Sequence, residues 1–429
     1  MLEKLGFAMV ASFIVLLMTR RLSAMTALIA VPVAFALMAG LSGTLGDLVV
    51  NGIRTVAPTG VLLIFAMLYF MAMTDAGLFD PLARRIVTLV KGDPVKIFVG
   101  IVTLGFLVAL DGDGATVYMI VLSAMLPLCK RLGLSLPMVG ALLLQCTGLG
   151  NMVPWGGPTA RAAVAMKVDI SSVFVPLIVP LIACVAWTYV LAFIFGRAER
   201  RRVGTIVVPA AAVEARTGNE PPVWRQTFNV VLTAVLLWAL GKELLPLPLL
   251  FMIGSAIALT VNFPKLKSQQ ELLARHAPAI LAVASLIFAA GVFTGVLSGS
   301  GMAKAIADAI VRIIPASIGP YMAVVTALLS IPVTWMVSND VFYLGMLPVL
   351  AEAAAHYGIA PVEMARASLI GQPVHILSPL VASTYLLVGM LDLDYARNQR
   401  FTLKWSAITC IVMLIVALVT GVVPLVPRV

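Results

Sequence analysis

The sequence predicts an all-α polytopic membrane protein, an inverted repeat of two five-helix units, each with one re-entrant hairpin and one broken helix. Three observations predict it. The 429 residues are 61% hydrophobic and 11% charged, and mostly apolar stretches of bilayer-spanning length recur along the whole chain. The chain also repeats itself. Residues 65–87 (FAMLYFMAMTDAGLFDPLARRIV) and 288–311 (FAAGVFTGVLSGSGMAKAIADAIV) share Phe-x4-Phe, a small-residue break and a closing Ile-Val. Met125-Leu126-Pro127-Leu128 is echoed by Met346-Leu347-Pro348-Val349, and Pro154 followed by Thr159 by Pro379 followed by Thr384. Finally, polar residues interrupt the apolar stretches at corresponding places in the two copies. Duplicated halves broken in this way bring a substrate site to the bilayer midplane in secondary transporters.

The elements follow in order from hydropathy and breakers. The first run, 5–19, follows Lys4 as a secretory signal would, but Arg20 and Arg21 stand in place of a small-residue cleavage site. Another run begins at once, so a retained helix is expected. Spans over 24–41 and 55–75 lead to a surface helix, 77–92, whose Arg84, Arg85 and Lys91 suit an interface. The apolar stretch 97–128 is interrupted midway by Asp111-Gly112-Asp113-Gly114, and spans over 135–166 and 171–196 close a first repeat, residues 1–198. A basic cytoplasmic linker, 199–225, precedes the second repeat, 226–429. That repeat reads 227–242, 246–262, 277–298, a surface helix 301–315, an interrupted stretch 319–350, then 361–388 and 401–425. At ~1.5 Å per residue each half of 97–128 falls short of ~30 Å of hydrocarbon, which predicts a hairpin that turns back. Five crossings per half remain, and an odd number inverts the second repeat.

Charge fixes the orientation. The net charge of +10 is no footprint of nucleic-acid binding, because the lysines and arginines gather at helix ends. With 197–225 cytoplasmic, Arg20, Arg21, the 84–96 region, Lys130, Arg131, the 265–275 region and the 397–404 region all fall inside. The opposite loops, around Asp47, Asp169 and 352–363, are poor in basic residues, as the positive-inside rule asks. Both termini are then extracytoplasmic, and a plasma (inner) membrane location is expected. Cys129, Cys146, Cys184 and Cys410 lie far apart in apolar stretches, which suits soft core packing and indicates neither a disulfide framework nor a metal cage. No intrinsic cofactor is expected.

The polar breaks carry the chemistry. Asp111 and Asp113 sit between apolar arms, and Ser338-Asn339-Asp340 sits likewise between 331–337 and 341–350. Carboxylates at membrane depth are costly and mark routes for ions or substrate. The alternative reading makes the aspartates helix caps in a tight turn. Two short helices meeting at a hairpin tip also offer unpaired amides to anions and carbonyls to cations, and Gly112 and Gly114 let the backbone approach a ligand. A second pair of breaks follows. Pro154 and Pro158 with Gly156-Gly157 interrupt 151–161, and 372–384 carries Gln372, His375, Ser378, Ser383 and Thr384 beside Pro373 and Pro379. Unwound backbone persists at this depth only where protein or a cavity satisfies it. Arg161 either pairs with an anionic substrate or neutralises Asp111 or Asp113. His375 either relays protons or acts as a neutral hydrogen-bonding partner. Trp155 reads as an aromatic packed beside the break, and Glu363 and Arg366 read as solvated charge and interface anchor.

The strings GDGAT (112–116), NMVPWGGPTARAA (151–163), SNDVFYLGMLPVLAEAAAHYGI (338–359) and RASLIGQPVHILSPLVASTYLLVG (366–389) resemble the citrate-metal ion symporter family, CitMHS, over most of the chain. The resemblance implies an elevator-type homodimer in lipid, with a scaffold from spans one to three and six to eight and a transport domain of hairpins and remaining spans. It also implies proton symport of citrate complexed with a divalent metal of the Mg or Ca class, and no enzymatic activity. Sodium-coupled carriers of the same superfamily carry Ser-Asn-Thr at each tip, whereas here the tips read Gly112-Asp113-Gly114 and Ser338-Asn339-Asp340. The implied metal ligands are Asp113 and Asp340, with Asp111 joining them in cation or proton coupling. The implied substrate contacts are Gly114, Thr116, Asn151, Gly156, Gly157, Pro158, Thr159, Ser338, Asn339, Ser378, Ser383 and Thr384. The alternatives are a sodium-coupled di- or tricarboxylate carrier, an oxyanion exporter of the superfamily, and an intramembrane protease. The last lacks Gly-x-Gly-Asp around Asp113 and Asp340 and does not explain the duplication.

Overall fold

The computed structural model describes residues 2–19, 21–90, 92–112, 114–204, 222–242, 244–312 and 317–426. Arg20, Lys91, Asp113, most of the expected linker (205–221) and the end of the second expected surface helix (313–316) lie outside them. The described residues contain helices and no strand.

The first half runs α1 (Leu2–Met18), α2 (Ala24–Met38), α3 (Leu45–Asp75) and the short α4 (Asp80–Val90). A hairpin follows: α5 (Pro94–Val108) ends in a 3-10 turn, Ala109–Asp111, and α6 (Gly114–Arg131) returns. One broken span, α7 (Leu136–Gly150) and α8 (Gly157–Met166), precedes α9 (Ile170–Val203). The second half presents the same succession. It comprises α10 (Val223–Gly241), α11 (Leu247–Asn262), α12 (Leu266–Gly299) and the short α13 (Met302–Val311). Its hairpin is α14 (Met322–Met336) and a second arm, a π-helical turn Val341–Met346 continued by α15 (Leu347–Ala355). The broken span consists of α16 (Pro361–Ser368), α17 (Gln372–His375) and α18 (Ala382–Met390), and α19 (Tyr395–Val419) closes the chain.

Acidic loop residues start several of these helices. Asp93, Asp169 and Asp394 each accept a backbone amide of the first turn, from Val95, Ser171 and Arg397 at 3.0, 2.8 and 2.8 Å. Such a cap satisfies one of the donors that a helix start leaves unpaired. Glu363, expected as a solvated charge, accepts the Ala360 amide at 2.9 Å at the start of α16. Arg366 ties α16 to α9 by donating from Nε and Nη2 to the Ser172 carbonyl at 3.1 and 2.6 Å.

Seven described helical stretches are long and apolar enough to cross a membrane by length and composition. Two of them, Pro94–Asp111 and Gly319–Met336, are hairpin arms of 18 residues, which reach ~27 Å. The leading arm of each hairpin thus comes close to a crossing on length, whereas the returning arms, Gly114–Arg131 and 341–355, are not among the seven. Conversely, α1, α2 and α11, at 17, 15 and 16 residues, are shorter than the ~20 residues of a usual crossing. Several boundaries also differ: α3 starts at Leu45, not 55, α12 at Leu266, not 277, α9 runs to Val203, not 196, and α19 spans Tyr395–Val419, not 401–425. The extra turns carry Asn51 and Arg54, Gln269 and Arg275, and Arg200 to Arg202. Hydropathy reads only the apolar part of a helix, whereas the backbone ladder continues through polar turns.

The most extensive helix packing among the described residues is the crossing of α3 and α12. A methyl at Gly52 would lie 2.0 Å from the Gly291 carbonyl oxygen, and one at Gly295 would lie 2.5 Å from the Leu48 carbonyl oxygen. Backbone meets backbone here, the close approach that small residues permit between helices in lipid. A separate core from α5, α6, α7 and α9, with Ile376 and Leu377, holds the first hairpin against the second broken span. The two broken spans cross where a methyl at Gly148 would touch the Pro373 Cα at 3.2 Å.

Candidate functional site

Each break is closed by a threonine. In the first, α7 is capped by Asn151 and α8 restarts after Gly156 with Pro158 in its first turn, where a missing amide hydrogen costs nothing. The Thr159 hydroxyl donates back across the gap to the Met152 carbonyl at 2.9 Å. In the second, Ser378 Oγ accepts the Leu380 amide at 3.2 Å, and the Thr384 hydroxyl donates to the Ile376 carbonyl at 2.5 Å. Both threonines are buried, 0% and 2% exposed, so both hydroxyl protons are committed to carbonyls that the breaks leave without helical partners. These two side chains, expected as substrate contacts, hold the shape of the breaks.

The first hairpin tip reaches both breaks. Trp155 Nε1 donates to the Leu110 carbonyl at 2.7 Å, and its ring stacks on Phe70 at 4.9 Å and meets Phe251 edge-on at 4.9 Å. Trp155 is thus more than packing beside the break, because it ties the break to the tip. Gly112 has φ of 78°, the left-handed conformation that glycine adopts freely, and turns the chain beside that ring. A methyl at Gly114 would lie 2.7 Å from Thr147 Cγ2 and 3.1 Å from Ser383 Oγ, so the start of α6 abuts the second break. Asp111 is buried at the end of the first arm, Thr116 is half-buried, and Asp113 lies outside the described residues.

The second tip reaches both breaks as well. Val337 is extended, and Ser338 Oγ accepts the Val341 amide at 3.4 Å, so serine rather than aspartate caps this arm. Asp340, freed from capping, accepts from Arg161 Nε at 2.6 Å, with side-chain exposures of 17% and 16%. Arg161 therefore pairs with an aspartate of the other half, a partner not considered from sequence. Gln372 Nε2 donates to Asn339 Oδ1 at 3.2 Å and to the Tyr343 hydroxyl at 2.7 Å, and that hydroxyl donates to the Ser368 carbonyl at 3.2 Å. His375 Nδ1 donates to the Thr334 carbonyl at 2.6 Å, the contact of a hydrogen-bonding partner buried in the protein.

Sequence reasoning named Gln372 among the polar residues of the second break but gave it no role, and it passed over Tyr343. Gln372 carried a signal, a lone amide in an apolar run before Pro373, but Tyr343 in an apolar arm reads only as packing. No group of three or more His, Cys, Asp or Glu side chains among the described residues could hold a metal ion. The four cysteines are free and buried. Among the described residues the Asp340 carboxylate, the Arg161 guanidinium and several amides and hydroxyls meet where the tips approach the breaks, with Asp111 buried at the first tip.

Comparison with known proteins gives the family. The CitMHS family, described as citrate transporters, matches residues 1–371. A "Citrate transporter" of Bacillus subtilis (strain 168) is 49% identical over 426 residues, 99% of this chain and all of that protein. A "Mg(2+)/citrate complex secondary transporter" of the same organism is 45% identical over 430 residues, 98% of this chain and 99% of that one. An uncharacterised transporter, YraO, is 46% identical over 436 residues. Among solved structures, the Alcanivorax borkumensis YdaH transporter shares the fold, with a TM-score of 0.55, 14% identity, and coverage of 91% of this chain and 90% of that one. With the family matched over most of its length, the chain belongs to the CitMHS family of citrate transporters.

Proposed function

We propose that the protein imports citrate, as a complex with a divalent metal of the Mg²⁺ or Ca²⁺ class, by proton symport across the plasma (inner) membrane. The observation that carries this reading is the Arg161–Asp340 pair at the junction of the second tip and the first broken span. It offers a carboxylate to a metal and a guanidinium to a carboxylate in one place. The amino end of α8, opened by Gly156 and Gly157, adds backbone amides and a favourable dipole for an anion. The names of two relatives, one for citrate and one for a Mg(2+)/citrate complex, support the substrate. The carboxylate in the second tip supports metal and proton coupling over sodium. Membership in a transporter family sets the protease alternative aside.

In this reading Asp113 and Asp340 take the metal, and Asp111 shares with them the coupling of cations. Gly114, Thr116, Asn151, Gly156, Gly157, Pro158, Ser338, Asn339, Ser378 and Ser383 face the carboxylates. Thr159 and Thr384 contribute through the shape of the breaks, and Gln372 holds Asn339 in place. The two halves, 1–198 and 226–429, form an inverted repeat around the linker 199–225. Two copies of α1 to α3 and α10 to α12 form the scaffold of a homodimer, past which the hairpins and broken spans move as an elevator. The matching element order of the halves and the tight α3–α12 crossing support that division.

The test is uptake of labelled citrate into proteoliposomes under imposed gradients. A pH gradient is expected to drive uptake that requires Mg²⁺ or Ca²⁺. Uptake that needs sodium and ignores the metal contradicts the assignment and favours a sodium-coupled di- or tricarboxylate carrier.

A further inference from the structure

Building on the proposed substrate, we infer that the Arg161–Asp340 ion pair is an electrostatic interlock that admits the metal–citrate complex and rejects either ion alone. The pair joins side chains 179 residues apart, one in the second turn of α8 beyond the first break, the other at the second hairpin tip. Among the described residues each is the other's ion-pair partner. The remaining groups recorded around them, Asn339, Gln372, Tyr343 and His375, are already joined to each other or to backbone carbonyls. Both side chains are about one-sixth exposed, so the pair is reachable from solvent and not sealed in the core.

Its geometry is that of a pair that can open. Nε alone donates to Oδ1 among the described residues, whereas the strongest arginine–carboxylate pairs are bidentate forks. Nη1 lies where a methyl on Gly157 would stand, 2.6 Å from that position, so the guanidinium rests on the bare backbone of the break. A free citrate approaching Arg161 meets the Asp340 carboxylate beside it. A free divalent cation approaching Asp340 meets the guanidinium. The complex brings both charges at once, its metal to Asp340 and a carboxylate to Arg161, and exchanges one ion pair for two. Selection of the complex is then a coupling between two sites. Couplings of this kind are reciprocal and typically span roughly 5–150-fold.

Calorimetry on the purified full-length chain tests this with three probes: Mg²⁺ alone, citrate with a chelator present, and citrate with Mg²⁺. Asp340→Asn is expected to bind metal-free citrate about tenfold more tightly than the wild type and to lose the effect of Mg²⁺. Arg161→Gln is expected to bind Mg²⁺ alone about tenfold more tightly, since the competing cation is gone, and to lose citrate. Arg161→Lys, which keeps the charge, is expected to return Mg²⁺ affinity to the wild-type value. Either neutral variant behaving like the wild type, or Lys behaving like Gln, overturns the interlock. Wild-type protein that binds neither citrate nor its complex contradicts the substrate reading instead. In that case tighter Mg²⁺ binding by Arg161→Gln still supports the interlock, with a different anion.

Discussion

Trp155 joins the first break to the first hairpin tip through one hydrogen bond and one stack. Trp155→Phe keeps an aromatic ring against Phe70 and removes the donor to the Leu110 carbonyl, at an expected cost of about 1 kcal/mol. Amide exchange over 109–112 should then quicken while exchange at the second tip, 338–341, does not. Unchanged exchange at both tips contradicts the role given to this bond. At this scale the sequence discloses which residues are unusual and little of what they touch. Arg161, Asp340 and the two threonines stand out because polar groups at membrane depth need partners. Whether Thr159 faces a ligand or the Met152 carbonyl, and which aspartate Arg161 meets, depends on how distant segments come together. No local pattern encodes that.

The breaks and hairpins were legible as elements because prolines and paired polar residues interrupt apolar runs at matching positions in the two copies. Helix ends were less legible, as the early starts of α3 and α12 and the polar end of α9 show, since hydropathy is blind to a helix that continues through charged turns. The spacing of Gly291, Gly295 and Gly299 was present in the sequence, but its partner on α3, Gly52, has no glycine four residues to either side to mark it. That crossing is open to test. Gly52→Ala places a methyl 2.0 Å from a backbone carbonyl oxygen that cannot swing away, and overpacking of this kind costs about 1–3 kcal/mol. The thermal midpoint of the purified protein should fall, whereas Gly43→Ala, which has open space around it, should leave the midpoint unchanged. Equal behaviour of the two variants contradicts the packing described.

Across the whole molecule, the two halves present the same succession of helices, short surface helix, hairpin and broken span. The chain shares its family with citrate transporters over nearly its full length. The proposed inversion predicts that both ends lie outside the cell. A single cysteine placed at position 2 or 426, in a background with Cys129, Cys146, Cys184 and Cys410 replaced, should react with a membrane-impermeant maleimide in intact cells. Labelling of only one end, or of both only after permeabilisation, contradicts the proposed topology. The central claim is that two hairpin tips and two broken spans form one site for citrate and its metal. Counterflow of labelled citrate in proteoliposomes without any imposed gradient reads that site directly. Wild-type protein should exchange citrate only when Mg²⁺ or Ca²⁺ is present on both sides, and Asp340→Ala and Arg161→Ala, reconstituted in equal amount, should lose this metal-dependent exchange. Exchange that persists undiminished in both variants would place the substrate elsewhere in the molecule.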